Sequence, residues 1–256
     1  MMKRFLRFAF LGESFHGTQK QPHDQTIQGL FEELLSRIYG QDVKVTIASR
    51  LDRGVHALDF AITFDLPNDS ISDDHLFYYL KRSLGKDVFL KEMRKADDSF
   101  SPRYDCLDKQ YLYLIQEKKN PLLNPLSYSP KYPLDIEKLV NTLSLMKGKH
   151  DFRYFSTPED DDNTILEMKD VSVVEEDGLI KIRFVSKSFL RYQVRFMVGS
   201  GISVAIDRLD IHDVMDALEM KKELPIKYKA EPQGLFLEKI NYPDIKDDNP
   251  IEFILG

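Results

Sequence analysis

The chain has 256 residues, 42% of them hydrophobic and 30% charged, with a formal net charge of −6. Such a composition fits a soluble globular protein of one large or two small domains, and 17 Phe with 12 Tyr exclude disorder as the main state. No apolar run approaches the roughly 20 residues of a membrane-spanning helix, and the lone Cys106 makes neither an internal disulfide nor, by itself, a zinc site, which points to a reducing cytoplasm.

Arg7 interrupts the apolar start, which lacks a small-residue cleavage pattern, so it does not read as a signal peptide. Phe5–Phe10 is short and aromatic and predicts a strand. A Gly/His/Gln-rich loop follows to Gln25. Ile27, Leu30, Phe31, Leu34, Leu35 and Ile38 then fall on one face of a helix, with Asp24 or Thr26 as its cap and Gly40 past its end. Val43, Val45 and Ile47 alternate as a strand that runs into Ser49-Arg50-Leu51-Asp52. Phe60, Ile62 and Phe64 mark another, His75–Leu84 a helix, and Val88–Met93 a strand.

The second half predicts a strand through Tyr111, Tyr113 and Ile115, a Pro-rich loop, and a helix from Ile136 to Met146 closed by Gly148. Strands at Met168–Val174 and Ile180–Phe184 flank an Asp177-Gly178 turn. Helices are expected from near Ser188 and over Ile211–Leu218, and a last strand over Leu235–Ile240. The order of elements predicts an α/β (α+β) fold: two split βαβ, ferredoxin-like halves, 1–101 and 102–256, whose antiparallel sheets join with helices on one face.

The most informative stretch is Ala48-Ser49-Arg50-Leu51-Asp52-Arg53-Gly54-Val55-His56-Ala57. It follows a strand and sets one carboxylate between two guanidinium groups. A carboxylate beside Arg stays ionised and oriented, so Asp52 suits a nucleophile or general base. The same residues also suit a solvated, salt-bridged turn. The negative net charge disfavours a general polyanion binder, yet basic residues gather at Lys3-Arg4-Arg7, Arg50-Arg53, Lys81-Arg82-Lys86 and Lys187-Arg191-Arg195, which leaves room for a basic cleft.

That stretch resembles the Arg-Thr-Asp-Ala-Gly-Val-His-Ala motif of TruA-type tRNA pseudouridine synthases. Phe15-His16-Gly17-Thr18-Gln19-Lys20-Gln21 with Thr26-Ile27-Gln28 is similar to the family's Phe-x-Gly-x-Gln-x-Gln and Thr-Val-Gln. Lys109-Gln110-Tyr111-Leu112-Tyr113, Gly148-Lys149-His150-Asp151-Phe152, Phe189–Arg195 with Gly199, and Ala230–Leu237 resemble its later motifs in order, so the likeness spans Arg4 to Tyr242.

The resemblance implies a pseudouridine synthase fold and an isomerase converting uridine to pseudouridine in tRNA, in the anticodon stem-loop (tRNA positions 38–40), without cofactor or metal. It implies a cytoplasmic homodimer with tRNA as its partner and no membrane. Asp52 matches the catalytic Asp, Tyr111 the base-stacking Tyr and Arg195 the residue paired with that Asp, in a cleft between the halves. Arg50 matches an RNA-contacting Arg. Arg53, Gln19, Gln21, His56, Lys187 and Arg191 join it as substrate- and RNA-binding residues, although His56 by itself reads as a hydrogen-bonded turn histidine, and His150 and Asp151 as residues holding a turn. The acidic run Glu159-Asp160-Asp161-Asp162 reads as a solvated loop.

The pattern is broken where Leu51 replaces Thr, Arg53 replaces Ala, Gln193 replaces Met and Thr18 stands at an aromatic position. The alternatives are a synthase with another RNA target, a non-catalytic RNA-binding protein on the same scaffold, or an unrelated Asp-dependent hydrolase of a small acidic molecule.

Overall fold

The computed structural model describes residues 2–243 and the strand Ile251–Glu252. It is a mixed α/β protein with predominantly antiparallel sheet. The chain divides into two compact units. One runs to Leu107 and takes in the chain from Leu237 onward; the other is Asp108–Phe236.

The first unit contains β1 (Lys3–Phe10), α1 (Ile27–Tyr39), β2 (Val45–Ile47), β3 (His56–Asp65), α2 (Asp73–Ser83) and β4 (Val88–Lys95). β1 is central and antiparallel to both β3 and β4, with Phe8 opposite Phe60 and Leu6 opposite Ile62. Phe8 packs on Phe31 of α1 at 4.7 Å and on Phe60 at 5.5 Å, and Phe10 packs on Phe15 at 5.9 Å. Each such ring removed from water contributes roughly 1.5–3 kcal/mol. Thr26 caps α1, its hydroxyl accepting from Gly29, and Gly40 closes the helix in the left-handed region. β2 pairs with β3, and β9 (Leu235–Asn241) lies along β3 as well.

On the other face of β1 a carboxylate is buried. Asp59 accepts from Arg7 Nε at 2.9 Å, from a second Arg7 nitrogen, and from the backbone N–H of Ile240 at 3.0 Å. Phe5 meets Phe100 and Tyr242 edge-on nearby. β10 (Ile251–Glu252), which the sequence pattern does not foretell, pairs with β4.

The second unit contains β5 (Asp108–Gln116), α3 (Ile136–Ser144), β6 (Gly148–Asp151), β7 (Ile165–Glu176), β8 (Leu179–Ser186), α4 (Gln193–Ala205) and α5 (Ile211–Leu218). Its strands run in the order β5-β8-β7-β6, all antiparallel. β8 alternates strictly, Ile180, Ile182, Phe184 and Ser186 inward, as a sheet with one covered face requires. Asp177 and Gly178, with φ of 56° and 74°, join β7 to β8 by the two-residue turn that their sequence predicts.

Two expectations shift. Gly148 does not close the preceding helix: α3 ends at Ser144 and Gly148 opens β6, so His150 and Asp151 stand on a strand, at whose end the Asp151 carboxylate accepts from Arg153 N–H at 2.9 Å and holds the following turn as expected. The helix expected from Ser188 starts at Gln193, because Tyr192 turns the chain in the left-handed region first.

Candidate functional site

Asp52 sits in the loop between β2 and β3, half-buried, with Arg50 and Arg53 exposed on either side. The loop is held from inside by the segment after β1. Phe15, anchored on Phe10, starts that segment. Thr18 then lies wholly inside the protein. Its hydroxyl donates to Ser49 O at 2.9 Å and accepts from Leu51 N–H at 2.8 Å, and its own N–H donates to Leu51 O at 3.1 Å. Gly17 makes this approach feasible: its φ is 91°, and a Cβ there would stand 2.7 Å from Leu51 O. The residue before Asp52 is thus gripped at both its N–H and its C=O. Val55 N–H closes the turn onto Asp52 O at 3.2 Å. His56 is buried and its Nδ1 accepts from Gly12 N–H at 3.0 Å, so Nε2 carries the proton of the neutral ring. Gln19 and Gln21 are exposed, whereas Gln28, outside the expected site set, bridges Lys20 N–H, Glu32 and Val45 O.

The second unit carries the other expected residues. Tyr111 on β5 is buried and meets Phe189 edge-on at 4.8 Å. Two residues on along the same face, Tyr113 is enclosed, its hydroxyl donating to Glu231 O at 2.9 Å, and burial drives its pKa well up, so it stays a neutral donor. Arg195, in the first turn of α4, is 8% exposed; its Nε donates to Ala230 O at 2.7 Å, and its own carbonyl accepts from Ala230 N–H at 3.0 Å. The segment through Ala230 approaches α4 this closely because Gly199 has no side chain: a Cβ there would lie 1.7 Å from Tyr228 O. Lys187 and Arg191 are exposed.

One unit thus holds a half-buried carboxylate on a fixed loop, and the other a fixed aromatic and guanidinium. The tRNA pseudouridine synthase family model matches residues 143–243, which include β6 with His150-Asp151, α4 with Arg195, and β9. The tRNA pseudouridine synthase A of Aquifex aeolicus is 38% identical over 242 residues, covering 94% of this chain and 99% of that protein. The chain belongs to the tRNA pseudouridine synthase A family. Members from Dictyoglomus thermophilum and Dictyoglomus turgidum are 36% and 33% identical, each over 93% of this chain and 98% of their own length. The family comprises isomerases acting on tRNA uridines.

Within that family the geometry gives the sequence departures a local meaning. Leu51 replaces a hydroxyl side chain and is buried, 7% exposed, while the backbone around it is tied by the hydroxyl of Thr18. Thr18 was visible in the sequence only as a departure from an aromatic; its two-sided bond depends on contacts across 31 and 33 residues of chain. Tyr192, at an unspecified position inside the Phe189–Arg195 motif, and Lys229, just ahead of the Ala230 motif, also stand out: Lys229 Nζ lies 3.9 Å from the centre of the Tyr192 ring. Among the described residues no helix is long and apolar enough to cross a membrane. Among the described residues no group of three or more His, Cys, Asp or Glu is placed to hold a metal ion.

Proposed function

We propose that this protein converts uridine to pseudouridine in the anticodon stem-loop of tRNA, with Asp52 as the catalytic carboxylate. The observation that carries this reading is the grip on the Asp52 loop: a carboxylate between two exposed arginines, on backbone fixed by buried bonds to Thr18, in a chain of this family. The reaction exchanges the N1–C1′ glycosidic bond for a C5–C1′ bond, so no atom is gained or lost, apart from a proton moving from carbon to nitrogen. What the site must supply is an ionised carboxylate for the stage in which the glycosidic bond breaks, and a place for an everted base.

Everting a stacked uridine costs a few kcal/mol. Arg50, exposed beside Asp52, suits the vacated space and the neighbouring phosphates. To Tyr111 we assign stacking on the uracil, a contact of roughly 1–3 kcal/mol, and to Arg195 the pairing that keeps the aspartate ionised. Arg53, Gln19, Gln21, His56, Lys187 and Arg191 complete the proposed substrate contacts, His56 through the loop it buttresses. A cytoplasmic homodimer follows from the same resemblance and is read out by sedimentation and fractionation.

The experiment is incubation of uridine-labelled tRNA with wild-type protein and with Asp52→Asn, followed by nucleoside analysis. Pseudouridine from the wild type and none from the variant is the expected result. Normal activity in Asp52→Asn would remove the assigned role, and mapping of modified positions on native tRNA tests the stem-loop assignment.

A further inference from the structure

We propose that Arg191 and Lys229, arranged on the ring of Tyr192, form a clamp for a phosphate of the bound tRNA outside the Asp52 loop. Three observations meet there. First, Tyr192 holds φ 61° and ψ 5°, a left-handed conformation that a bulky aromatic residue rarely adopts. Strain of this kind persists only where the surroundings impose it, and it gathers at functional positions. Second, three cations gather over the ring: Arg191 Cζ at 4.9 Å from its centre, Lys229 Nζ, from a distant part of the chain, at 3.9 Å, and Arg195 Cζ, the farthest, at 5.8 Å. The Arg191 guanidinium also donates to the Tyr192 hydroxyl at 3.1 Å. Third, neither cation is neutralised: among the described residues, Arg191 and Lys229 form no ion pair with a carboxylate.

Two positive charges held within about 9 Å of each other on an acidic protein repel unless something intervenes. The negative face of the aromatic ring offsets part of that repulsion, so the pair is preformed before any anion arrives. The neighbouring cations do not share this state. Lys227 lies 5.8 Å from the Tyr154 ring but is paired with Glu223, and Arg195, though also over the Tyr192 ring, is buried with its Nε bonded to Ala230 O. The charge over the ring that an incoming anion can reach is therefore that of Arg191 and Lys229. The ligand of that chemistry is a phosphate; because the substrate class of this family is tRNA, the clamp takes a backbone phosphate, a contact that positions the RNA without reading its bases. This step rests on the tRNA reading above and not on the role given to Asp52.

The test is the affinity for an unmodified tRNA transcript measured at several KCl concentrations for wild type, Lys229→Gln, Arg191→Gln and Tyr192→Asn, with melting temperatures in parallel. Loss of one phosphate contact should weaken binding by about tenfold at low salt and reduce the slope of log K against log[salt] by about 0.7 to 0.9. Tyr192→Asn removes the ring but tolerates the left-handed backbone, so it should bind more weakly while melting at the same or a higher temperature; a residue that merely packs would show the reverse. Wild-type affinity and slope in both Lys229→Gln and Arg191→Gln would overturn the clamp. A wild-type protein that binds no tRNA would instead defeat the tRNA reading itself, and the clamp with it.

Discussion

Thr18 illustrates how one buried hydroxyl can set the geometry of the loop that carries Asp52. With no exposed surface, it has no water to turn to, and both of its bonds go to backbone within three residues of Asp52. Thr18→Val keeps the shape and leaves Ser49 O and Leu51 N–H without that partner. A buried group so orphaned costs about 1–3 kcal/mol. The expected outcome is a melting temperature lower by several degrees and a fall in kcat that exceeds any change in KM, since tRNA affinity resides mainly in phosphate contacts elsewhere. Thr18→Ser retains the hydroxyl and should recover most of the turnover. If Thr18→Val and the wild type isomerise tRNA at the same rate, the loop does not depend on this bond. The candidate aspartate stands out in the sequence because its arginine neighbours adjoin it in the chain. Thr18 does not, since its partners come together only when Phe15 docks on Phe10 and carries the segment over the loop.

Elements were legible where local signals agree, as in α1, whose apolar face, Thr26 cap and Gly40 stop all lie within one stretch. They were misplaced where a tertiary contact overrides the local pattern: the apolar and polar spacing of Ser188–Tyr192 permits helix, but the chain turns left-handed at Tyr192, and Gly148 suits a helix stop as well as the strand it begins. The joint between α1 and β2 yields a pH prediction. Glu32 is buried on α1 and accepts from Lys20, Gln28 and the N–H of Val45. Burial pushes its carboxyl up, but the bonds from Lys20 and Val45, the Lys20 charge and the Gln28 bond outweigh burial and hold it below its ordinary value. A depressed folded pKa means stabilisation that is complete above the unfolded value of about 4.3 and lost as pH falls through the folded one. Glu32→Gln should therefore cost about 1–2 kcal/mol at pH 7, with the gap in melting temperature closing below about pH 4. A gap that stays constant down to pH 3 would rule out the ionised carboxylate as its source. At α4, the glycine is the constraint. Gly199→Ala sets a Cβ 1.7 Å from Tyr228 O, so the segment that receives Arg195 must move away. Overpacking of this kind costs about 1–3 kcal/mol or more, and activity should fall further than stability, because the displaced carbonyl of Ala230 is what orients the guanidinium; equal activity at equal tRNA affinity would contradict that.

At the scale of the molecule, the first unit is discontinuous: its sheet is finished by chain that follows the whole second unit. β9 brings Leu237 and Ile240 into that core, both at most 1% exposed. Ile240 N–H is one of the donors to buried Asp59, Ile240 O accepts from Arg7 at 3.3 Å, and Asn241 O accepts from Leu107 N–H at 2.8 Å. Tyr242 adds a bond from its hydroxyl to Pro102 O at 2.7 Å and an edge-on contact with Phe5. A chain ending at Phe236 would lose all of these at once, leaving the stretch of β3 that faces β9 unpaired and Asp59 short of a donor. Losing one partner of a buried charge costs about 3–5 kcal/mol, and two core side chains add about 1.5–3 kcal/mol each, which together rival the whole stability of a typical domain, about 5–15 kcal/mol. The expectation is that amides of β1 and β3 lose hydrogen-exchange protection in the truncated chain, whereas those of β7 and β8, whose partners all lie within Asp108–Phe236, keep it. Native protection of β1 and β3 without residues 237–256 would show that the N-terminal strands form a self-sufficient core. Because β9 follows the whole second unit in sequence, the same dependence places completion of the Asp52-bearing unit after synthesis of the second unit, and its formation involves pairings of long sequence separation, which fold slowly.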